Sequence, residues 1–185
     1  MSYELLTNRK TENRHKNYRQ VNDIFFLVVH WWDDKKGLSF DSNVNFLCKN
    51  NNKVSAHYVS EGGRVAQIAE NEDVALHAGN WNMNVASIGV ENRPEADSDD
   101  FATLAELIVD IETKIGHTLY IIGHRDVVSR LCPGVYYPRI PELINRVNTI
   151  KSQRGNAPAP LTEEQRADML SRLQNMKNNP GELLS

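Results

Sequence analysis

The apolar run from Ile24 to His30 (IFFLVVH) places the strongest constraint on the fold of this chain. It is rich in β-branched and aromatic residues and does not alternate with polar ones, which is typical of a strand buried on both faces of a sheet. The segment from Leu119 to Gly123 predicts a second, shorter buried strand. The fold must therefore provide apolar cover for these strands.

Strands and helices alternate along the rest of the chain. Further strands are predicted at Val54–Ser60, Arg64–Ala69 and Val85–Asn92, and helices at Ser39–Asn50, from about Asp97 to Gly116, and at Pro138–Ile150. Glu61-Gly62-Gly63 is predicted to form the turn of a hairpin, and Asp33–Gly37 a polar connection. This alternation predicts a single α/β domain with a central mixed β-sheet flanked by helices.

The 185 residues suit one domain with an adequate core and a short appendage. The segment RGNAPAP resembles a linker, so the predicted division is a catalytic domain at 1–153, a linker at 154–160 and a C-terminal helical extension at 161–185. A capping-box pattern from Thr162 to Gln165 predicts the start of the last helix. That helix could dock on the domain, self-associate or lead into a further module.

Charge and hydropathy exclude several classes of partner. The net charge is −3, so no global field favours nucleic acid, and no nucleic-acid partner is expected. No apolar stretch approaches the roughly 20 residues of a membrane span, so stable membrane insertion is not expected either. The N-terminus lacks the apolar core of a signal peptide, which predicts a cytoplasmic location after synthesis. The first 20 residues are locally basic, and this arm is expected to be solvated; the oligomeric state stays open.

His30, His124 and Cys132 form the most informative candidate site. Each histidine ends a predicted buried strand, and the stretch GHRDVVSRLCPG returns the cysteine eight residues after His124. A histidine at the end of an apolar strand is more often a hydrogen-bonded core residue, but three ligands with one open position are the signature of catalytic zinc. The sequence therefore predicts a Zn²⁺ site formed by these residues.

Hydrolysis at such a site also needs a base and a group that stabilises an oxyanion. Glu91 lies near a predicted strand end, although a lone glutamate is more often a solvated carboxylate. Arg130 could reach the developing oxyanion or simply pair with Asp126. Arg125 and Asp126 are predicted to support the ligating histidines through hydrogen bonds.

A second group of residues could bind substrate. His77 and Trp81 lie in a loop rich in Gly and Asn that suits a sugar or peptide, although a surface Trp with a capping His is nearly as common. Trp32 is predicted to wall the cleft, and Asn92, next to Glu91, to contact substrate. His57 is expected to pack in the core or to support the site.

Five blocks give the chain a family resemblance: VVHWW, NNNKVSAHYVSEGGRVAQ, ALHAGN, SIGVEN and GHRDVVSRLCPG. In this order they resemble the zinc-dependent N-acetylmuramoyl-L-alanine amidases of the amidase-2 family, which includes phage endolysins, recycling amidases and peptidoglycan recognition proteins. The resemblance covers about Val21 to Ile150. It implies an α/β amidase fold, bacterial peptidoglycan as the partner, and cleavage of the amide between N-acetylmuramic acid and L-alanine.

The resemblance also implies site residues. It maps the zinc ligands onto His30, His124 and Cys132, and the acidic catalytic residue onto Glu91. The family commonly has Lys where this chain has Arg130, and an arginine can stabilise an oxyanion but cannot donate its proton. Some relatives have a catalytic Tyr where this chain has Ala56, which leaves Tyr58 as an outside alternative to Glu91.

The sequence is consistent with three functions. A phage endolysin, which reaches the wall after the membrane is permeabilised, is the leading hypothesis. A cytosolic amidase that recycles soluble muropeptides is the second. A non-catalytic peptidoglycan-binding module is the third, and it is disfavoured because such relatives usually lack the cysteine ligand that Cys132 supplies here.

Overall fold

The structure is a computed structural model that describes residues 2–32, 38–50, 53–155 and 157–179. The predicted connection at Asp33–Gly37 lies outside these residues. The described strands are β1 (Glu4–Leu6), β2 (Arg14–His15), β3 (Phe26–Trp31), β4 (Tyr58–Glu61), β5 (Arg64–Gln67), β6 (Val74–Ala75), β7 (Ser87–Asn92) and β8 (Tyr120–Gly123). In the described part of the chain, six of them form one sheet in the order β1-β5-β4-β7-β3-β8, and β2 pairs with β6.

Strand β3 lies between two parallel neighbours, β7 and β8. Its side chains alternate between two apolar clusters, so that Phe26 and Val28 face one and Leu27 and Val29 the other. All four are 0% exposed, as the apolar run predicts. Because β4 and β5 pair antiparallel while the other pairs are parallel, the sheet is mixed. The predicted fold class is confirmed.

Helices cover both faces of this sheet. They are α1 (Phe40–Cys48), α2 (Trp81–Ala86), α3 (Ser98–Ile115), α4 (Ile140–Arg154) and α5 (Glu163–Asn178). Helices α3 and α4 pack on the face of Leu27 and Val29, while α2 and α5 contribute Met83 and Leu173 to the other face. Helix α1 packs beside them in a third cluster, which includes Trp32.

Several helix ends lie where local sequence signals predict them. Asp97 caps α3 through a capping box, and Gly116 ends the helix in the left-handed conformation at φ 87°. Ser39 caps α1, and the Thr162 side chain caps α5 by accepting a hydrogen bond from the Gln165 amide. Each of these helix ends is determined by residues within a few positions of it.

Other boundaries differ from the prediction. The strand predicted at Val85–Asn92 begins only at Ser87, because Asn80 caps the short helix α2, which extends through Ala86. The strand predicted from Val54 begins at Tyr58, and the one predicted to reach Ala69 ends at Gln67. The helix predicted from Pro138 begins at Ile140, after a 3-10 turn.

The N-terminal arm is not merely solvated, which corrects the prediction. Strand β1 extends the sheet by pairing parallel with β5. Arg19 is 3% exposed, and its guanidinium donates to the carbonyl oxygens of Asn71, Asn84, Val85 and Ser87. A basic residue near the N-terminus therefore helps to hold the segment around α2.

Helix α5 docks on the domain. Leu173 is 8% exposed and packs in the cluster that contains Phe26 and Met83. The Asn80 side chain donates to the Met176 carbonyl oxygen at 2.9 Å. The division into domain, linker and extension stays a prediction. None of the helices in the described ranges has the length and apolar character needed to span a membrane.

Candidate metal centre

Three side chains that could ligate a metal converge at the edge of the sheet where β3, β7 and β8 end. His30 is the penultimate residue of β3, His124 directly follows β8, and Cys132 lies in the loop after it. One ligand atom from each residue lies within 4.8 Å of those of the other two. Parallel strands end at a common edge, so two residues distant in sequence meet there, and the loop supplies the third.

The loop that carries Cys132 is held against the sheet. The Arg125 amide donates to the Cys132 carbonyl oxygen at 3.0 Å. Gly134 has φ +55° and faces Trp31 so closely that a Cβ would lie 2.2 Å from the ring. Only glycine combines this backbone conformation with this approach. The loop places Cys132 Sγ 3.6 Å from His30 Nδ1.

The donor set fits a zinc ion. Two imidazoles and a thiol are ligands that zinc prefers. Typical Zn–N and Zn–S bonds in a tetrahedral site separate the two ligand atoms by about 3.5 Å, close to the observed 3.6 Å between His30 Nδ1 and Cys132 Sγ. The other ring nitrogens are also engaged, since His30 Nε2 lies 3.0 Å from His77 Nδ1 and His124 Nε2 lies 3.3 Å from the Ala78 carbonyl oxygen. Such partners fix the orientation of ligating rings.

Burial controls the protonation of this set. It lowers the pKa of His30 well below the ordinary value and that of His124 in the same direction. Both rings are therefore neutral near pH 7 and keep a lone pair for a metal. Burial, with a smaller effect from Glu91, raises the pKa of the Cys132 thiol to about 12. A bound dication would reverse this shift, because a coordinating thiol is deprotonated.

Glu91 lies beside the cluster, opposite His30 in the β3–β7 register. Its Oε2 atom is buried and has no hydrogen-bond partner among the described residues. Burial raises the pKa of this carboxyl to about 8. A carboxyl in such surroundings is suited to take up a proton near neutral pH.

The cluster opens into a cavity of about 720 Å³. Glu91 and Arg130 border it, together with an apolar wall that includes Trp32, Leu38, Phe46, Val54 and Leu76. A polar cluster at the base of an apolar cleft is the usual arrangement of a site that orients a ligand and limits access of water.

Comparison with known families shows to which family this chain belongs. The family described as N-acetylmuramoyl-L-alanine amidase matches residues 20–135, which is more than half of the chain. The chain belongs to this family. It is an amidase whose substrate class is peptidoglycan, as the sequence predicts, and the non-catalytic alternative is set aside.

Solved structures show that the amidase shares its fold with other proteins. The catalytic domain of XlyA is 17% identical, with a TM-score of 0.66 over 77% of this chain and 98% of that one. A mutant endolysin from Bacillus subtilis is 19% identical (TM-score 0.64; 78% and 99%), and the amidase LysC from Clostridium intestinale is 16% identical (TM-score 0.61; 78% and 97%). A comparison with curated proteins gave no match.

The predicted substrate-binding residues differ in whether they border the cavity. Trp32 lines the cavity as predicted, and its buried Nε1 has no partner among the described residues. His77 also borders the cavity, but its ring is buried and contacts His30. Asn92 is 1% exposed and donates to the carbonyl oxygens of His30 and Val90, so it supports strand β3 and does not face the cleft.

Trp81 does not border this cavity, and its contact with substrate stays a prediction. Its ring packs edge-to-face against His15 and Tyr18, with centroids 5.0 and 5.4 Å away. Trp81 begins helix α2 on the side that faces α5, and there it borders a separate groove. The alternative base Tyr58 does not border the cavity either; it is buried and donates to Asn71.

The predicted partners of the two candidate ligand histidines are corrected as well. Arg125 stacks on the ring of Tyr137 and donates to the Leu131 carbonyl oxygen, while Asp126 accepts from the Gly123 amide and the Tyr137 hydroxyl. Both residues therefore hold the loop. The contacts to the histidines come from His77 and the Ala78 carbonyl, which belong to the block ALHAGN. The block ALHAGN was the sequence signal for these two residues, but a block of residues does not show which side chains it contacts in the fold.

Proposed function

We propose that this amidase hydrolyses the amide between N-acetylmuramic acid and L-alanine with zinc held by His30, His124 and Cys132, and that it serves as a phage endolysin. One observation carries the zinc mechanism: the ligand cluster and the unpartnered carboxylate oxygen of Glu91 border the same cavity. When bound, zinc supplies a Lewis acid that polarises a carbonyl and lowers the pKa of water.

Glu91 is proposed to move the protons. Its carboxylate takes a proton from the attacking water and returns it to the nitrogen of the leaving amine. Burial limits hydration of this carboxylate, which makes it more basic than an exposed glutamate. General acid–base catalysis by a positioned side chain contributes about 10²- to 10⁴-fold to a rate.

Arg130 is proposed to stabilise the negative charge that develops on the carbonyl oxygen. It is exposed at the border of the cavity, where its side chain can meet a bound substrate. A guanidinium keeps its proton at all relevant pH values and presents several donors. Arg130 therefore contributes charge and hydrogen bonds, and the proton transfers fall to Glu91.

The Glu91→Gln variant tests the chemical role. The amide has nearly the same shape but cannot accept the proton, so we expect a loss of turnover of at least about 10²-fold while one zinc per chain is retained. Mass spectrometry of digested walls should show stem peptides that begin at L-alanine. Glu95→Gln is the matched control, because that carboxylate is 63% exposed. If Glu91→Gln digests walls as fast as the parent, the proposed role is wrong.

The biological role needs a different comparison. A mutant endolysin from Bacillus subtilis is among the proteins that share this fold, and this motivates a test on intact walls. We expect the amidase to release peptides from intact sacculi at least as fast as from soluble anhydro-muropeptides. A strong preference for the soluble fragments would instead indicate a recycling amidase. As an endolysin, the protein would reach the wall after the membrane is permeabilised.

A further inference from the structure

A chain of hydrogen-bonding groups leads from the candidate ligand His30 into the core. His30 Nε2 lies 3.0 Å from His77 Nδ1, and His77 Nε2 lies 3.3 Å from Ser87 Oγ. Ser87 Oγ donates to the Met83 carbonyl oxygen at 2.5 Å. All three side chains are buried, so each proton along this chain has a defined place.

The last acceptor sets the direction of every bond. A carbonyl oxygen only accepts, so the single proton of the Ser87 hydroxyl is used on Met83. The hydroxyl then has only lone pairs for His77, whose Nε2 must donate. A neutral imidazole carries one proton, which leaves His77 Nδ1 as an acceptor for the Nε2–H of His30. His30 Nδ1 is then unprotonated and has a free lone pair. This nitrogen is the atom that faces Cys132 Sγ.

We infer that His77 is a positioning residue that selects the tautomer of His30 and so presents Nδ1 to the metal. This inference rests on the proposed zinc site. It replaces the predicted role of His77 in substrate binding with one in the support of the metal centre.

The backbone around His77 is built for this role. Asn84 Oδ1 accepts from the amides of both His77 and Ala78, at 3.1 and 2.7 Å, which fixes the segment that contacts both histidine ligands. The His77 ring lies directly on Gly89, where a Cβ would come within 2.5 Å of the ring. Glycine at this point of β7 leaves the space that the ring needs.

Two substitutions separate the hydrogen bond from the packing. His77→Phe keeps a ring of similar size but has no acceptor, whereas His77→Asn places an amide oxygen near the position of Nδ1. Zinc affinity would be measured by competition with a chromophoric chelator, and ligand geometry by the visible absorption of the Co²⁺-substituted protein. His117→Phe is the control. His117 Nε2 bonds to the Ile24 carbonyl oxygen, and Ile24 precedes the start of β3, at the end opposite His30.

We expect His77→Phe to weaken zinc binding by about 10- to 100-fold and to change the cobalt spectrum, as loss of a partner to a ligating histidine usually does. His77→Asn should recover most of the affinity, and the control should match the parent. Equal loss in the Phe and Asn variants, or no loss in the Phe variant, would overturn the inference. If the parent itself takes up no zinc, the proposed function fails with it.

A measurement on the parent keeps the inference testable even if a variant does not fold. Long-range ¹H–¹⁵N NMR spectra of the zinc-loaded protein report which nitrogen of each imidazole carries the proton. We expect His77 to be protonated at Nε2 and unprotonated at Nδ1. A proton on His77 Nδ1 would show that it cannot accept from His30.

Discussion

The described residues include four buried histidines, which lie in a row from the cleft towards the core, and their partners decide what each can do. His124 and His30 have centroids 4.4 Å apart, His77 follows at 5.1 Å from His30, and His57 at 5.6 Å from His77. The first two face the candidate metal position. His57 accepts from the Gly89 amide and lies behind them, in agreement with the expectation of a core or supporting role. One residue type thus serves different purposes according to its neighbours.

The proposed role of Arg130 can be tested by substitutions that change the size or the charge of its side chain. Arg130→Ala should lower kcat by about 10²-fold, because it removes a cation from the border of the cleft. Since the side chain is exposed, the free energy of unfolding should change by less than about 0.5 kcal/mol. Arg130→Lys keeps the charge and should retain activity within about tenfold of the parent. Kinetics on a soluble muropeptide and urea unfolding provide the two measurements, and an Arg130→Ala variant with parental kcat would refute the role.

Elements with strong local signals could be predicted from the sequence, and those determined by distant contacts could not. Strand β3 is marked by its apolar run, and α3 by Asp97 and Gly116 at its ends. Helix α2 escaped prediction because six residues with a single Asn cap carry little periodicity. The candidate ligand set could be predicted because both histidines end apolar runs, whereas the contact between His77 and His30 spans 47 positions and leaves no local trace.

Helix α4 is joined to α3 by a buried ion pair, which also bonds to the two residues before β8. Lys151 Nζ donates to Glu112 Oε2 and Thr118 Oγ1, each at 2.6 Å, and Glu112 Oε1 accepts from the Leu119 amide. The side chains of Lys151 and Glu112 are 3% and 1% exposed. We predict that Lys151→Met destabilises the fold by about 3–5 kcal/mol at pH 7, because it leaves a buried charge unpaired.

The pH dependence of this variant has a defined sign. Burial already raises the pKa of Glu112 in the parent, and loss of Lys151 should raise it further. A carboxyl with a raised pKa in the folded state is neutral below that pKa, so the destabilisation should shrink as the pH falls through it. Lys151→Met combined with Glu112→Gln should lose this pH dependence. Urea unfolding between pH 4 and pH 8 measures both, and a Lys151→Met deficit that is constant with pH would contradict the assignment.

Helix α5 offers a second test at the scale of elements. Leu173→Ala should destabilise the protein by about 2–3 kcal/mol, since it opens a cavity against Phe26 and Met83. Leu170→Ala on the same helix is the control, because Leu170 is 52% exposed. Hydrogen exchange should show α5 opening more readily in the first variant only. Equal effects of the two substitutions would mean that α5 does not dock through Leu173.

At the scale of the whole molecule, the candidate metal centre and the hydrophobic core are separate. The apolar clusters on the two faces of the sheet contain strands and helices from both halves of the chain. His30 and His124 lie at the ends of strands that those clusters already order. Cys132 depends on a loop that is also held by Arg125 and by Gly134 against Trp31. The fold should therefore persist without a metal.

Removal of zinc should lower stability without unfolding the protein. A ligand present at about 1,000 times its Kd contributes about 4 kcal/mol to the folded state, and for a protein of this size that corresponds to roughly 8–16 °C in Tm. We expect a chelator to lower Tm by this order while the far-UV circular dichroism at 25 °C stays unchanged, and added zinc to restore Tm. Cys132→Ala should show a much smaller zinc-dependent shift, because it removes one of three ligands. Loss of the far-UV signal on chelation would mean that the metal, and not the two apolar clusters, holds the sheet together.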